Sequence, residues 1–210
     1  MRLRALLGAV LLIGGCATAP RTPPPVADPL VAWQARQEAL RALQSWEISG
    51  RVGVKSGGEQ GQANVVWVRD HDSHRINLFG PLGGGRVVLT ADADGAQLRD
   101  GRHNTLEAPD ARTVLYRHTG WDIPFDELTY WLAGLPAPGS ANDLNLDAWG
   151  RLQTLRQDGW ELRVLEYVRE DRYELPRRVV MTHPGIGAGA APGRGPVEVR
   201  LVIKGWGLRP

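Results

Sequence analysis

Over most of the chain from Trp46 onward, apolar residues recur at alternate positions, in runs joined by links too short to hold a crossover helix. A two-residue period is that of a strand buried on one face. Short links restrict successive strands to antiparallel pairing, because a parallel pair needs a long crossover. The chain is therefore mainly β. Trp46, Ile48, Val52 and Val54 share one parity, with Glu47, Ser49, Arg51 and Lys55 on the other. A turn at Gly57-Gly58-Glu59 leads to a strand expected over 64–69 that carries Trp67, and 70–73 turns into the next strand from Arg75. Short strands over 96–99 and 104–107 flank Asp100-Gly101-Arg102, and Asp-Gly between such runs is a hairpin signal. The sheet resumes over 151–156, 160–167 and 177–182, and ends with Val197, Val199, Leu201 and Ile203 alternating with polar residues apart from Val202.

One turn in this series is unusual. Ile76 and Leu78 alternate with Asn77, Val87 and Leu89 follow, and between them stand Gly80-Pro81-Leu82-Gly83-Gly84-Gly85. Glycine and proline punctuate the strands, and Pro81 lacks the backbone donor that a central strand needs. Nothing in turn chemistry asks for a large aliphatic such as Leu82 there. It either folds back onto the sheet edge or projects to touch something apolar outside the fold.

Helical character is confined to two places. Leu30, Trp33, Leu40 and Leu43 recur near the helical period after Asp28 and Pro29, predicting a helix over about 29–43 whose stripe lies on the sheet. Between 109 and 135 two short helices are expected, one with Val114, Leu115 and His118 on adjoining faces and ending at Gly120. The other begins near Pro124, which suits a first turn, and carries Phe125, Leu128, Trp131, Leu132 and Leu135. Helices inserted in a β sequence cover an edge or an opening. Residues 136–149 have little periodicity, and 184–196, nearly all glycine, alanine and proline, read as a surface loop. The ordered part, 30–210, is one domain large enough for a real core. A long antiparallel sheet of this kind can close into a barrel that is filled by side chains or holds an apolar ligand.

The amino end sets location. Arg2 and Arg4, an apolar run from Ala5 to Ile13 and then small residues form a secretory signal over 1–15. The run is too short to span a bilayer core of about 30 Å. Ile13-Gly14-Gly15-Cys16 resembles a bacterial lipobox, which implies a diacylglyceryl thioether on Cys16, cleavage before it and acylation of the new amino terminus. Cys16 is the single cysteine, so the exported domain has no internal disulfide. Two or more acyl chains anchor durably where one does not. Ala17 follows the cysteine in place of the aspartate typical of lipoproteins kept at the bacterial inner membrane, and by that resemblance the outer membrane, facing the periplasm, is implied. Residues 16–29 carry several prolines and form a tether. The formal net charge of +2 includes Arg2 and Arg4, so the mature chain is close to neutral. That argues against a nucleic-acid groove and against a polybasic membrane patch.

Several motifs together resemble the LolB family of outer-membrane lipoprotein insertases: Trp-Glu-Ile-Ser-Gly-Arg-Val-Gly-Val from Trp46, Gly80-Pro81-Leu82-Gly83, and Thr119-Gly120-Trp121-Asp122-Ile123-Pro124. Leu128-Thr129-Tyr130-Trp131-Leu132-Ala133-Gly134-Leu135-Pro136, Gln157-Asp158-Gly159-Trp160 and Ile203-Lys204-Gly205-Trp206 continue the likeness in the same order, over nearly all of the mature chain. The resemblance implies an unclosed antiparallel β-barrel of about eleven strands, with an α-helical lid over a hydrophobic cavity. It implies a receptor that accepts acylated lipoproteins from a LolA-like periplasmic carrier and places them among outer-membrane lipids. It also implies a membrane-insertion loop at Pro81, Leu82 and Gly83, with Leu82 as the working residue. The 184–196 loop is longer than the family pattern suggests.

Transfer of this kind makes and breaks no bond, so no enzyme activity, cofactor or metal is expected. The five histidines are scattered, and only His71 and His74 are close, in a polar turn with poor metal spacing. What transfer does need is apolar surface for acyl chains. The candidate lining is Trp46, Ile48, Val52, Trp67, Ile76, Leu78, Val87 and Leu89, with Phe125, Leu128 and Trp131 from the lid, each of which could equally be ordinary core. A monomer without nucleic-acid partners is expected. The competing expectation is a passive lipid-binding or structural envelope lipoprotein.

Overall fold

The computed structural model describes residues 24–56, 58–80, 85–120, 122–139, 141–185 and 195–209. Cys16, and the 81–84 segment with Pro81, Leu82 and Gly83, lie outside the described residues, as does 186–194 of the glycine- and proline-rich loop. Helix α1 is Pro29–Arg41, followed by β1 Ser45–Ser56, β2 Glu59–Asp70, β3 Ser73–Phe79, β4 Arg86–Asp92, β5 Gly95–Arg99 and β6 Thr105–Ala108. Helices α2 Ala111–Thr119 and α3 Phe125–Leu132 come next, then β7 Ala141–Leu146, β8 Leu152–Gln157, β9 Trp160–Glu170, β10 Tyr173–His183 and β11 Val197–Leu208.

All eleven strands form one sheet in the order β6-β5-β4-β3-β2-β1-β11-β10-β9-β8-β7, and every pairing is antiparallel. Strands β6 and β7 are its two edges, so the barrel is unclosed. The first strand pairs with the last, which brings the two halves of the chain into one curved surface. Gly50 marks the bulge in that pairing: a Cβ there would collide with the Val202 carbonyl.

Three expectations are corrected. Residues 136–149 are not featureless, since β7 lies within them as an edge strand beside β8. The link between β5 and β6 is not a tight Asp-Gly hairpin. It is a wider turn in which Asp100 accepts hydrogen bonds from the Arg102 and Asn104 amides and from the Asn104 side chain, with His103 at a φ of 66°. Leu30 does not join the α1 stripe and is 66 % exposed, while Trp33, Leu40 and Leu43 are buried as expected.

Each helix has a visible cause. Asp28 caps α1 by accepting from the Leu30 and Val31 amides, with Pro29 in the first turn. Asp110 caps α2 through the Thr113 amide, and Gly120 ends it in the left-handed conformation, where glycine carries no Cβ penalty. Helix α1 is held by charge as well as packing: Arg36 pairs with Glu174 at 2.6 Å, and Arg151 bridges Asp147 at 2.8 Å and Glu174 at 3.4 Å. Arg151 also lies over the Trp149 and Tyr167 rings.

Candidate functional site: the inner face of the sheet and its lid

Because side chains alternate across a strand, the register fixes which residues line the concave face. One row runs Leu106, Leu98, Leu89, Ile76, Trp67, Ile48 and Trp206 across β6, β5, β4, β3, β2, β1 and β11. A second runs Leu144, Leu155, Leu162, Met181, Val199 and Val54 across β7, β8, β9, β10, β11 and β1. Between them Val87, Leu78 and Val65 are aligned across β4, β3 and β2, and Val52 sits opposite Leu201. The eight sheet positions expected to line a cavity thus share one continuous apolar surface.

Coverage of this surface is graded. Trp46, Ile48, Trp67, Ile76 and Leu89 are buried, Trp46 and Ile48 completely. Val52, Val54, Leu78 and Val87 are only half-buried. These four stand toward the end of the sheet where β3 leaves into the Gly80-to-Gly85 turn, across which the Gly80 amide donates to the Gly85 carbonyl at 3.1 Å. At that end, a hollow of about 1130 Å³ lies among Lys55, Arg156, Trp160, His183 and Arg200. Charged side chains ring it, and Trp160, Val197, Pro184 and Pro196 give it apolar surface as well. Deeper in, a cluster of aromatic rings packs together.

Helix α3 sends a ring into this cluster at one end and packs on the sheet at the other. Phe125 stacks on Trp67 with ring centroids 5.2 Å apart, and Trp67 and Trp206 both pack on Trp46 at 5.6 Å. At the other end of the helix Trp131 meets Trp160 of β9 at 6.3 Å. Phe125 and Trp131 therefore do not face a common spot. They reach opposite halves of the sheet, since Trp67 stands on β2 and Trp160 on β9. Leu128 between them is half-buried against the core. Arg112 and Asp122 form a two-pronged pair, at 2.6 and 2.9 Å, that ties α2 to the chain entering α3.

Two important side chains were missed by periodicity. Gln157, almost fully buried, accepts from Trp131 Nε1 and from the Ala137 amide at 3.0 Å each, and donates to the Ala137 carbonyl at 2.9 Å. It fastens the far end of the lid to β8. His74, expected in a polar turn, instead packs edge-on against Phe125 and accepts a hydrogen bond from Trp67 Nε1 on its Nδ1 at 3.2 Å. Burial, reinforced by the nearby Arg69 cation and opposed by Asp72, lowers its pKa to about 4, so the ring is neutral at ordinary pH. Local spacing marks neither one in the sequence, since His74 bonds across 7 positions and Gln157 across 20 and 26. Among the described residues no group of His, Cys, Asp or Glu is placed to hold a metal.

The comparisons agree with this architecture. The family model "Outer membrane lipoprotein LolB" matches residues 44–206. An outer-membrane lipoprotein LolB of Nitrosococcus oceani is 35 % identical over 99 % of this chain and 98 % of its own length. Those of Pseudomonas putida and Chromohalobacter salexigens are 34 % and 33 % identical, covering 83 % and 98 % of this chain and 80 % and 91 % of theirs. Among solved structures, a LolA superfamily protein from Nitrosomonas europaea superposes with a TM-score of 0.52 at 7 % identity, over 88 % of this chain and 95 % of that one. A putative outer membrane lipoprotein-sorting protein domain from Vibrio parahaemolyticus gives 0.52 at 11 % identity, over 86 % and 92 %. At such identities the structural likeness speaks for the fold alone, and the family rests on the sequence matches. On those, the chain belongs to the LolB family of outer-membrane lipoproteins.

Proposed function

We propose that this protein is the receptor that takes acylated lipoproteins from a LolA-like periplasmic carrier and inserts them into the outer membrane. Its family gives the coarser part: the chain is non-catalytic, lipid-anchored at the outer membrane on the periplasmic side, and has its role in outer-membrane lipoprotein trafficking. The finer reading is supported by one observation above all, the graded apolar surface inside the sheet. Covered positions under α3 continue without a break into the half-exposed Val52, Leu78 and Val87. Acyl chains entering at the exposed end gain roughly 0.8 kcal/mol for each methylene removed from water. To go deeper they must displace Phe125 and its helix, so the lid is the element that opens.

In this reading residues 1–15 are removed, Cys16 carries the lipid, the segment up to residue 29 is a tether, and 30–210 is the transfer domain. Leu82, with Pro81 and Gly83, is the membrane-insertion segment between β3 and β4. The test is depletion of the protein in living cells, with the outer-membrane fraction of other lipoproteins as readout. Transfer predicts that they fail to reach that membrane and build up on the carrier. Undisturbed sorting would leave only a passive lipid-binding role.

A further inference from the structure

Among the described residues, six large hydrophobic side chains stand exposed. Tyr116, Leu165 and Val202 are scattered over α2, β9 and β11, as isolated exposed hydrophobics commonly are. The other three, Val26, Leu30 and Val31, fall within six positions at the start of α1. Leu30 and Val31 are 66 % and 61 % exposed, so α1 does not use them to pack on the sheet. They are held out firmly. Asp28 caps the Leu30 and Val31 amides, the Val26 amide donates to the Ala148 carbonyl at 3.1 Å, and the Pro29 carbonyl lies where a Cβ on Gly150 would meet it. From 24 to 35 the one charged residue is Asp28, engaged in the cap, although 23 % of the whole chain is charged. An uncharged apolar projection of this kind suits lipid and not an ionic partner.

Val26 is ten residues from Cys16. Fully extended, ten residues reach about 35 Å, so an anchor at Cys16 keeps the patch beside the bilayer at high effective concentration. Ala148 and Gly150 lie in the link from β7 to β8, at the end of the sheet opposite the β1–β2, β3–β4 and β8–β9 turns. We propose that Val26, Leu30 and Val31 form a membrane contact of their own, on which the cargo-free domain rests with its exposed end turned toward the periplasm. The inference rests on anchoring at Cys16 and adds an orientation to it: the end where acyl chains enter faces away from the bilayer until cargo is aboard. Strand β3 runs into the insertion segment at the end opposite the patch, so delivery requires the patch to leave the lipid.

The test uses the mature lipidated protein in nanodiscs of zwitterionic lipid, a fraction of it spin-labelled in the acyl chains. Cys16 is the single cysteine and carries the anchor, so an introduced cysteine takes a fluorophore at one chosen place. Ala27→Cys puts it beside the patch, and Arg102→Cys puts it on the β5–β6 turn at the other end of the sheet. Without cargo, the spin labels should quench the Ala27 probe several-fold more than the Arg102 probe. High salt should leave that difference in place, since no charge carries it. Leu30→Gln with Val31→Gln should cut the Ala27 quenching by more than half at an unchanged melting temperature, because both side chains are exposed and glutamine suits a helix. Equal quenching of the two probes in the wild type would overturn the proposal, and so would Ala27 quenching that the double substitution leaves undiminished. Loss of transfer from the carrier to soluble Cys16→Ala bearing the same two substitutions would also overturn it, by making the patch a contact for the carrier. A mature chain that carries no lipid and does not stay with nanodiscs would instead remove the anchoring on which the inference stands.

Discussion

The His74 imidazole stays neutral because it is wedged between Trp67 and Phe125, where a cation would lose much of its hydration. Its folded pKa of about 4 lies below the ordinary 6.5, so as pH falls the unfolded chain takes the proton first. Stability is therefore complete above 6.5, and is lost progressively as pH falls from there to about 4. We expect the melting temperature to drop across that window. In His74→Asn the drop should be shallower, because asparagine keeps an acceptor for Trp67 but cannot be protonated. An unchanged slope in His74→Asn would assign the pH dependence to other groups. Protonation would also take away the acceptor on which Trp67 depends, so the same titration loosens the ring on which the lid rests.

In the proposed function, helix α3 is the element on which acceptance depends. Leu128 lies between Phe125, which meets Trp67, and Trp131, which meets Trp160 and Gln157. Leu128→Glu puts a carboxylate against apolar surface, where an unpaired charge is strongly disfavoured. Since Leu128 is only half-buried, the charge can swing outward when the interior is empty. We expect a modest fall in melting temperature and a larger loss of lipoprotein acceptance from the carrier. Loss of folding with normal acceptance in the folded fraction would make α3 plain core. The elements differed in how legible they were. Inward residues of β1, β2, β3, β4 and β11 followed from parity, because one face of each strand is apolar and the other polar. Strand β7 was hidden because Ala-Asn-Asp-Leu-Asn-Leu has few apolar residues and lies at an edge, where one neighbour suffices. The start of β10 was hidden because it contains Pro176, which sits at a register shift against β9 and is tolerated for that reason. Periodicity placed the lining but could not tell covered from exposed positions, which α3 decides from elsewhere in the chain.

At the scale of the whole molecule, the proposed function divides three tasks along one chain: anchoring, holding and delivery. Anchoring belongs to Cys16 and the tether, so Cys16→Ala exported behind a replacement signal should fold and still take cargo from the carrier. Precipitation, or failure to accept cargo, would mean that anchor and interior are not separable. Holding belongs to the concave face and α3. Delivery is assigned to Leu82, whose transfer from water to lipid is worth on the order of 1.5–3 kcal/mol. That is too little to anchor a protein and enough to bias a loop toward the bilayer while cargo leaves the half-exposed end of the interior. The most direct measurement follows one labelled lipoprotein from carrier to this protein and on to liposomes, scoring the two transfers separately for the wild type and Leu82→Glu. The wild type should complete both steps, and Leu82→Glu should keep its melting temperature and accept the lipoprotein but fail to pass it on. Normal delivery by Leu82→Glu, or a large fall in its melting temperature, would contradict the account.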